Sequence, residues 1–474
     1  MTRRLFTTLA LAGLTACGGS RILHPLVPTP EGAVPHAPPA TSVAAAEIPW
    51  PTVATRVLAN GLTVIVSERP RDHEVSIRCR IVGAGESLSD AKSGVPTLVA
   101  MMLRRGVRLE GDEDLSWPSG PIVAGAFYSV GTNYSEISYT LAPDALDAAF
   151  DALYLEESRP AFDPEWFELE RSQQLGSIGA YEASPIDQAA ALLATAAFGR
   201  DSPSGRSPYG LRGVVAATEV DDVIAFHAAH YAPNRAVVVV AGPITADAVF
   251  ATAERAFGAW TRSVPATPRY VPTLESGGPR ELYVDLPSDH AQLLFAIPYH
   301  IDSDDDLVAY GILSDLYGGV FDSWLNLALR EDDGSLYGAS ASPLGAERVG
   351  LLVTAVSIAF EDVESVVSRL DAVTERLSAG RVDADELPLV HRQRTAGYID
   401  AFANASSATR TIVNGHMSFG DVARLRAQHE RGLAMTTDEL AAAAGRIFDP
   451  SRIRLLALGP RARLAPAIAR ARAH

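Results

Sequence analysis

His227 and His230 stand three residues apart in HAAHY, a spacing that puts two imidazoles on one face of a helix, where a metal ion could be held. Zinc needs three or four nitrogen, sulfur or carboxylate donors, and no Asp or Glu lies at a useful offset on that face, so the pair reads as structural. A second stretch, SGVPTLVAMMLRRGV from Ser93 to Val107, has the period of an amphipathic helix. Val95, Leu98, Val99, Met102 and Leu103 recur at i, i+3, i+4, i+7 and i+8 and form a buried stripe. Its complementary face carries Thr97, Ala100, Met101 and Arg104, which offer a metal neither imidazole nor carboxylate. The remaining histidines are scattered and read as solvated or satisfied within the fold. Of the two cysteines, Cys79 falls on the alternating run VSIRCRIV with Val75, Ile77 and Ile81 and reads as a core residue.

A chain of 474 residues is too long for one core, so two or more domains are expected. Hydrophobic residues at 47% and charged residues at 20% fit a globular protein. The net charge of −17 leaves no excess cation to track a phosphate backbone, which argues against nucleic acid as a partner. The N-terminus opens with Arg3 and Arg4, continues with a short apolar run from Leu5 to Leu14, and ends in LTAC at Cys17. The run is too short to span a bilayer. The pattern resembles the lipobox of bacterial lipoproteins, which implies cleavage before Cys17, acylation of Cys17 and a lipid anchor in the cell envelope. Gly18 after the cysteine leans that expectation toward the outer membrane, facing the periplasm. Residues 18–50 are rich in Pro and Ala without a period and read as a linker.

The body follows one plan twice. RVLANGLTVIVSE reads as a hairpin around Asn60-Gly61. Alternating strands, the helix at Ser93–Val107, two further strands and a series of helices follow, one of them starting at Asp163-Pro164. The half closes on a helix, a turn and the apolar strand AVVVVAGP. After a looser stretch, strands RELYVDLP and AQLLFAIPYH, more helices and a closing strand IRLLALGP repeat the sequence of elements about 220 residues later. The spacing predicts a duplicated α+β domain, over residues 51–265 and 280–474.

LANGLTVIVSE, SGVPTLVAMMLRRGV, FHAAHYAPNRAVVVVAGP, LYGGVFDSWLNLALREDDGSLYGASAS and the closing LLALGP together resemble the insulinase/pitrilysin family of zinc peptidases, over nearly the whole body. The resemblance implies two homologous domains of that fold, each a mainly antiparallel sheet packed with helices, and units that pair into a clamshell around a peptide chamber. The family's zinc motif is H-x-x-E-H, with a further Glu from a distal helix. The two His positions match Thr97 and Met101, the Glu that activates water matches Ala100, and the distal ligand position matches Ser177, 80 residues after Thr97. No metal is therefore expected in this chain. A family Asn on the substrate edge matches Gly125.

LREDDGSLYG matches the family's L-R-E-x-x-G-L-x-Y, placing Arg330 and Tyr337 on the pair that hydrogen-bonds the substrate carbonyl. Both side chains donate to an oxyanion. Some bacterial members are heterodimers in which one subunit carries zinc and the other supplies this Arg and Tyr. The resemblance implies the second kind: a non-catalytic subunit whose zinc-bearing sister, of the same family, completes a peptide-cleaving site. The alternative is a lipid-anchored peptide-binding scaffold with no catalytic partner.

Overall fold

The computed structural model describes residues 47–87, 90–109, 114–120, 122–275, 277–331 and 338–473. Cys17, most of the Pro/Ala-rich linker and Tyr337 lie outside them. In the first half the elements are β1 (Val53–Val57), β2 (Thr63–Glu68), β3 (Val75–Val82), α1 (Val95–Leu103), β4 (Val123–Val130), β5 (Tyr134–Leu141), α2 (Leu146–Ser158), α3 (Pro164–Ala183), α4 (Pro185–Phe198), α5 (Arg212–Ala217), α6 (Val220–His230), β6 (Ala236–Gly242) and α7 (Ala246–Phe257). The second half runs β7 (Glu281–Val284), β8 (Ala291–His300), α8 (Asp304–Ser314), α9 (Trp324–Asn326), β9 (Ala341–Gly345), β10 (Val349–Ile358), α10 (Val363–Ser378), α11 (Leu387–Ala401), α12 (Ala405–Phe419), α13 (Ala423–Ala434), α14 (Thr437–Ile447), β11 (Arg454–Leu458) and α15 (Arg461–Ala471).

The duplication is visible in the strand order. The first sheet runs β1-β2-β6-β3-β5-β4 and the second β7-β11-β8-β10-β9. In each, the last strand of the half inserts inside the sheet, parallel to one neighbour and antiparallel to the other: β6 between β2 and β3, β11 between β7 and β8. All other pairings are antiparallel. Insertion between two strands explains the composition of the two closing strands. Every residue of β6 (AVVVVAG) and of β11 (RLLAL) is buried, as a strand covered on both faces requires.

What covers those faces is exchanged between the halves. On its inner face the first sheet packs Val64, Val66, Ile77, Cys79, Val238 and Val240 with α1, α2, α6 and α7. On its outer face Ile65, Val237, Val239 and Ala241 meet Ala405, Ala408, Ile412 and Val413 of α12, from the second half. Reciprocally, Ala189, Leu193, Ala197 and Phe198 of α4 pack on Leu294, Ala296, Leu351, Leu456 and Leu458 of the second sheet. Ile48 and Trp50, just before β1, join the α12 side, with the Trp50 ring 4.9 Å from Tyr398 and 5.8 Å from Phe402.

The hairpin differs from its expected form. β1 and β2 are joined by five residues, Leu58 to Leu62, rather than a two-residue turn. Gly61 takes the left-handed φ of +89°, while the Asn60 amide donates to Phe257 O at 2.8 Å and Trp260 O at 3.1 Å. Asn60 is therefore an anchor for the end of α7 as well as a turn residue. Among the described residues no helix is long and apolar enough to cross a membrane.

Candidate functional site

The α1 stripe is buried as its period requires: Leu98, Val99, Met102 and Leu103 are inaccessible and Val95 nearly so. The opposite face is built by tertiary contacts. Pro96 sits in the first turn, where its missing N–H costs nothing. The orphan donors at that end are taken by Glu86, eight residues before Gly94. Its carboxylate accepts from Gly94 N at 2.9 Å, Thr97 N at 3.2 Å and the Thr97 hydroxyl at 2.7 Å. Burial lifts the Glu86 pKa, and these donors, with the Arg206 charge, oppose the lift. Glu86 thereby caps the helix, and the Thr97 hydroxyl proton is committed to it.

Thr97, Ala100 and Met101 line one cavity of about 310 Å³, with Arg104 below them and the end of β4 (Tyr128, Ser129, Val130) along its side. No carboxylate, imidazole or thiolate is among its described lining residues. A hydroxyl bound to a carboxylate, a methyl group and a thioether do not fit zinc. More widely, no group of three or more His, Cys, Asp or Glu among the described residues is placed to hold a metal ion. Ser177 does not join the cavity. It is exposed on α3, its hydroxyl donating to Gln173 O at 3.2 Å. The face of α3 turned to the core carries Phe167, Glu170, Gln174 and Ile178 instead, and Gln174 ties α1 to the loop before α5 through Gly94 O at 3.0 Å and Tyr209 O at 2.7 Å.

Arg330 lies in a π-helical turn, Leu327–Glu331, half-buried, with its guanidinium 4.3 Å over the ring of Phe321, which is itself 65% exposed. Gly125 sits on β4, the edge of the first sheet, at an irregularity in its register with β5. His227 is held by a distant carbonyl and His230 by a ring on its own helix. His227 Nε2 bonds Glu157 O at 2.9 Å, and His230 stacks on Phe226 at 4.3 Å between centroids.

Sequence reasoning missed Glu86 and Glu170. Glu170 is completely buried on α3 and bound by both Arg104 and Arg105. A buried charge needs a partner, and adjacent Arg104-Arg105 at a helix end is the one local signal of it. The Thr97 assignment is testable. Thr97→Val keeps the shape but removes a donor from a partly buried carboxylate, and is expected to cost about 1 kcal/mol in urea unfolding; a loss within error of zero would mean that Glu86 does not depend on the hydroxyl.

Residues 218–393 match the family model described as peptidase M16 inactive domain. Over 221 residues the chain is 29% identical to an uncharacterized zinc protease of Mycobacterium leprae; the match covers 44% of this chain and only about half, 49%, of that protein. A similarly named protein of Mycobacterium tuberculosis is 25% identical over 334 residues, or 69% of this chain and 74% of that one. Among solved structures, the fold is similar to a protease from Helicobacter pylori (TM-score 0.75, 17% identity, 87% of this chain and 100% of that chain). It is also similar to a peptidase M16 inactive domain from Pseudomonas fluorescens (TM-score 0.73, 17% identity, 86% of this chain and 98% of that chain).

Proposed function

We propose, from the premise that this chain belongs to the insulinase/pitrilysin (M16) peptidase family as a non-catalytic member, that it is one subunit of a cell-envelope metallopeptidase and completes the site of a zinc-bearing sister. The observation that carries the reading is the cavity beside α1. The positions aligned with the family's two histidine ligands there are a threonine bound to Glu86 and a methionine, the position of the water-activating Glu is a buried alanine, and the position of the distal ligand, Ser177, is exposed. The scaffold of a metal site stands without its donors.

The contribution of this chain is then the limb that holds substrate. Arg330, its guanidinium oriented on the Phe321 ring, and Tyr337 donate hydrogen bonds to the carbonyl oxygen of a bound peptide. Both strengthen as negative charge develops on that oxygen. The zinc in the sister subunit supplies the Lewis-acid chemistry. Lipid attachment at Cys17 holds the assembly at the membrane.

Co-expression with a sister that carries an intact H-x-x-E-H tests this. The pair is expected to cleave unfolded peptides and the isolated chain to cleave none. Arg330→Ala and Tyr337→Phe are each expected to lower kcat/KM of the pair by about ten-fold or more, with pairing by analytical ultracentrifugation unchanged. Activity indifferent to both substitutions would count against this substrate-holding role, and a pair that cleaves nothing would leave the scaffold reading in its place.

A further inference from the structure

The cavity beside α1 has lost the means to hold a cation and gained the means to hold an anion. Arg104 is the source. Its Nη2 donates to both oxygens of Glu170 at 3.1 Å, but that buried carboxylate is also bound by Arg105, which is stacked on Trp166 at 4.2 Å. One carboxylate between two guanidiniums leaves a positive charge over. The Arg104 side chain is 41% exposed and lines the cavity, and its Nε and Nη1 make no hydrogen bond among the described residues. Among the described residues, Glu86 is engaged by the N-terminus of α1 and Thr97, and Glu156 by Ser119, Tyr128 and Tyr139.

The cavity also lies at the end of an open strand. Among the described residues β4 pairs only with β5, so its other side presents backbone N–H and C=O groups without a neighbouring described strand, and Tyr128, Ser129 and Val130 carry that side to the cavity wall. An extended peptide pairing with this edge in the parallel sense would bring its C-terminus there. A volume of about 310 Å³ is at the small end of ligand sites and suits a chain end.

We propose that this cavity is a carboxylate-recognition site that takes the free C-terminus of an extended peptide, with Arg104 as its receptor. The proposal rests on the reading of this chain as a peptide-handling subunit, but it is tested on the chain alone, so its failure leaves the Arg330 result standing and the reverse. A labelled, unstructured peptide is titrated against the full chain by fluorescence anisotropy in three forms: free C-terminal acid, C-terminal amide, and amide with an Asp next to the end. The free acid is expected to bind about ten-fold tighter than either amide, and the preference to weaken with salt.

Arg104→Gln is expected to abolish the preference, so that the free acid binds no tighter than the amide. Met101→Glu, which keeps the Arg104–Glu170 pair and adds an anion to the wall, is expected to do the same. Thermal melts establish that both variants fold, and if one does not, the other carries the test. Equal binding of acid and amide, or a preference that survives in a folded variant, overturns the proposal. An Asp-amide that binds as tightly as the free acid overturns the C-terminal assignment in favour of an acidic side chain.

Discussion

Glu136→Ala is expected to destabilise the chain by about 3–5 kcal/mol, because it strands two buried guanidiniums. Glu136 on β5 lies opposite Arg80 on β3 in the strand register. Its Oε2 accepts from Arg80 Nε at 2.8 Å, and its Oε1 pairs with Arg78. All three residues are buried, and Arg80 is further fixed 3.8 Å over the Tyr134 ring. Taking one carboxylate from such a triad leaves charges that neither water nor protein compensates. Replacing all three by apolar residues of similar volume, Arg78→Leu, Arg80→Met and Glu136→Met, is expected to recover most of the loss. Urea midpoints of the wild type, the single variant and the triple variant decide it. A single variant within about 1 kcal/mol of wild type would show that water reaches the triad.

The second large effect is on pH dependence. Adjacent Glu156 and Glu157 on α2 are both buried. Glu156 is held by the Ser119 hydroxyl at 2.6 Å and the Tyr128 hydroxyl at 3.0 Å, and by Tyr139, while one Glu157 oxygen has no partner. Burial, reinforced by the Glu156 charge and opposed by the Cys79 thiol, lifts the Glu157 pKa from 4.5 to about 8. Against it, burial lowers the His227 pKa from 6.5 to about 4.

A raised folded-state pKa means that the native state holds a proton the unfolded chain releases, so Glu157 costs stability as pH rises from 4.5 toward 8. A lowered one means the opposite, so His227 costs stability as pH falls from 6.5 toward 4. The two slopes cancel between about 4.5 and 6.5, and above that only Glu157 of the two contributes. Stability is therefore expected to fall by about 1.4 kcal/mol per pH unit, or about 2 kcal/mol between pH 6.5 and 8. Glu157→Gln is expected to flatten this limb and be the more stable protein at pH 8. Urea unfolding at pH 5.5, 6.5 and 8 reads the difference, and parallel curves for the two proteins would refute it.

Local pattern carried much of this structure. The period of 3.6 in SGVPTLVAMMLRRGV assigned the core stripe of α1. The apolar runs AVVVVAG and LLAL marked two buried strands, and their recurrence marked the duplication. Each is a statement about neighbours in the chain, which sequence records directly. What lies on the far side of an element is not recorded there. Alternation in VSIRCRIV put Cys79 in the core but says nothing of the other face, where Ser76, Arg78 and Arg80 are also buried: Ser76 bonds Thr409 of α12 at 3.0 Å, and the two arginines close on Glu136.

The same holds at the site. Residue types alone showed that Thr97, Ala100 and Met101 form a poor metal cage. Only the tertiary structure turned Thr97 to Glu86, turned Ser177 to solvent and left Arg104 with half of one carboxylate. The physical reason is range: periodicity reports burial through the chain's own geometry, whereas the partner of a buried polar group is chosen by whichever distant segment the packing brings against it.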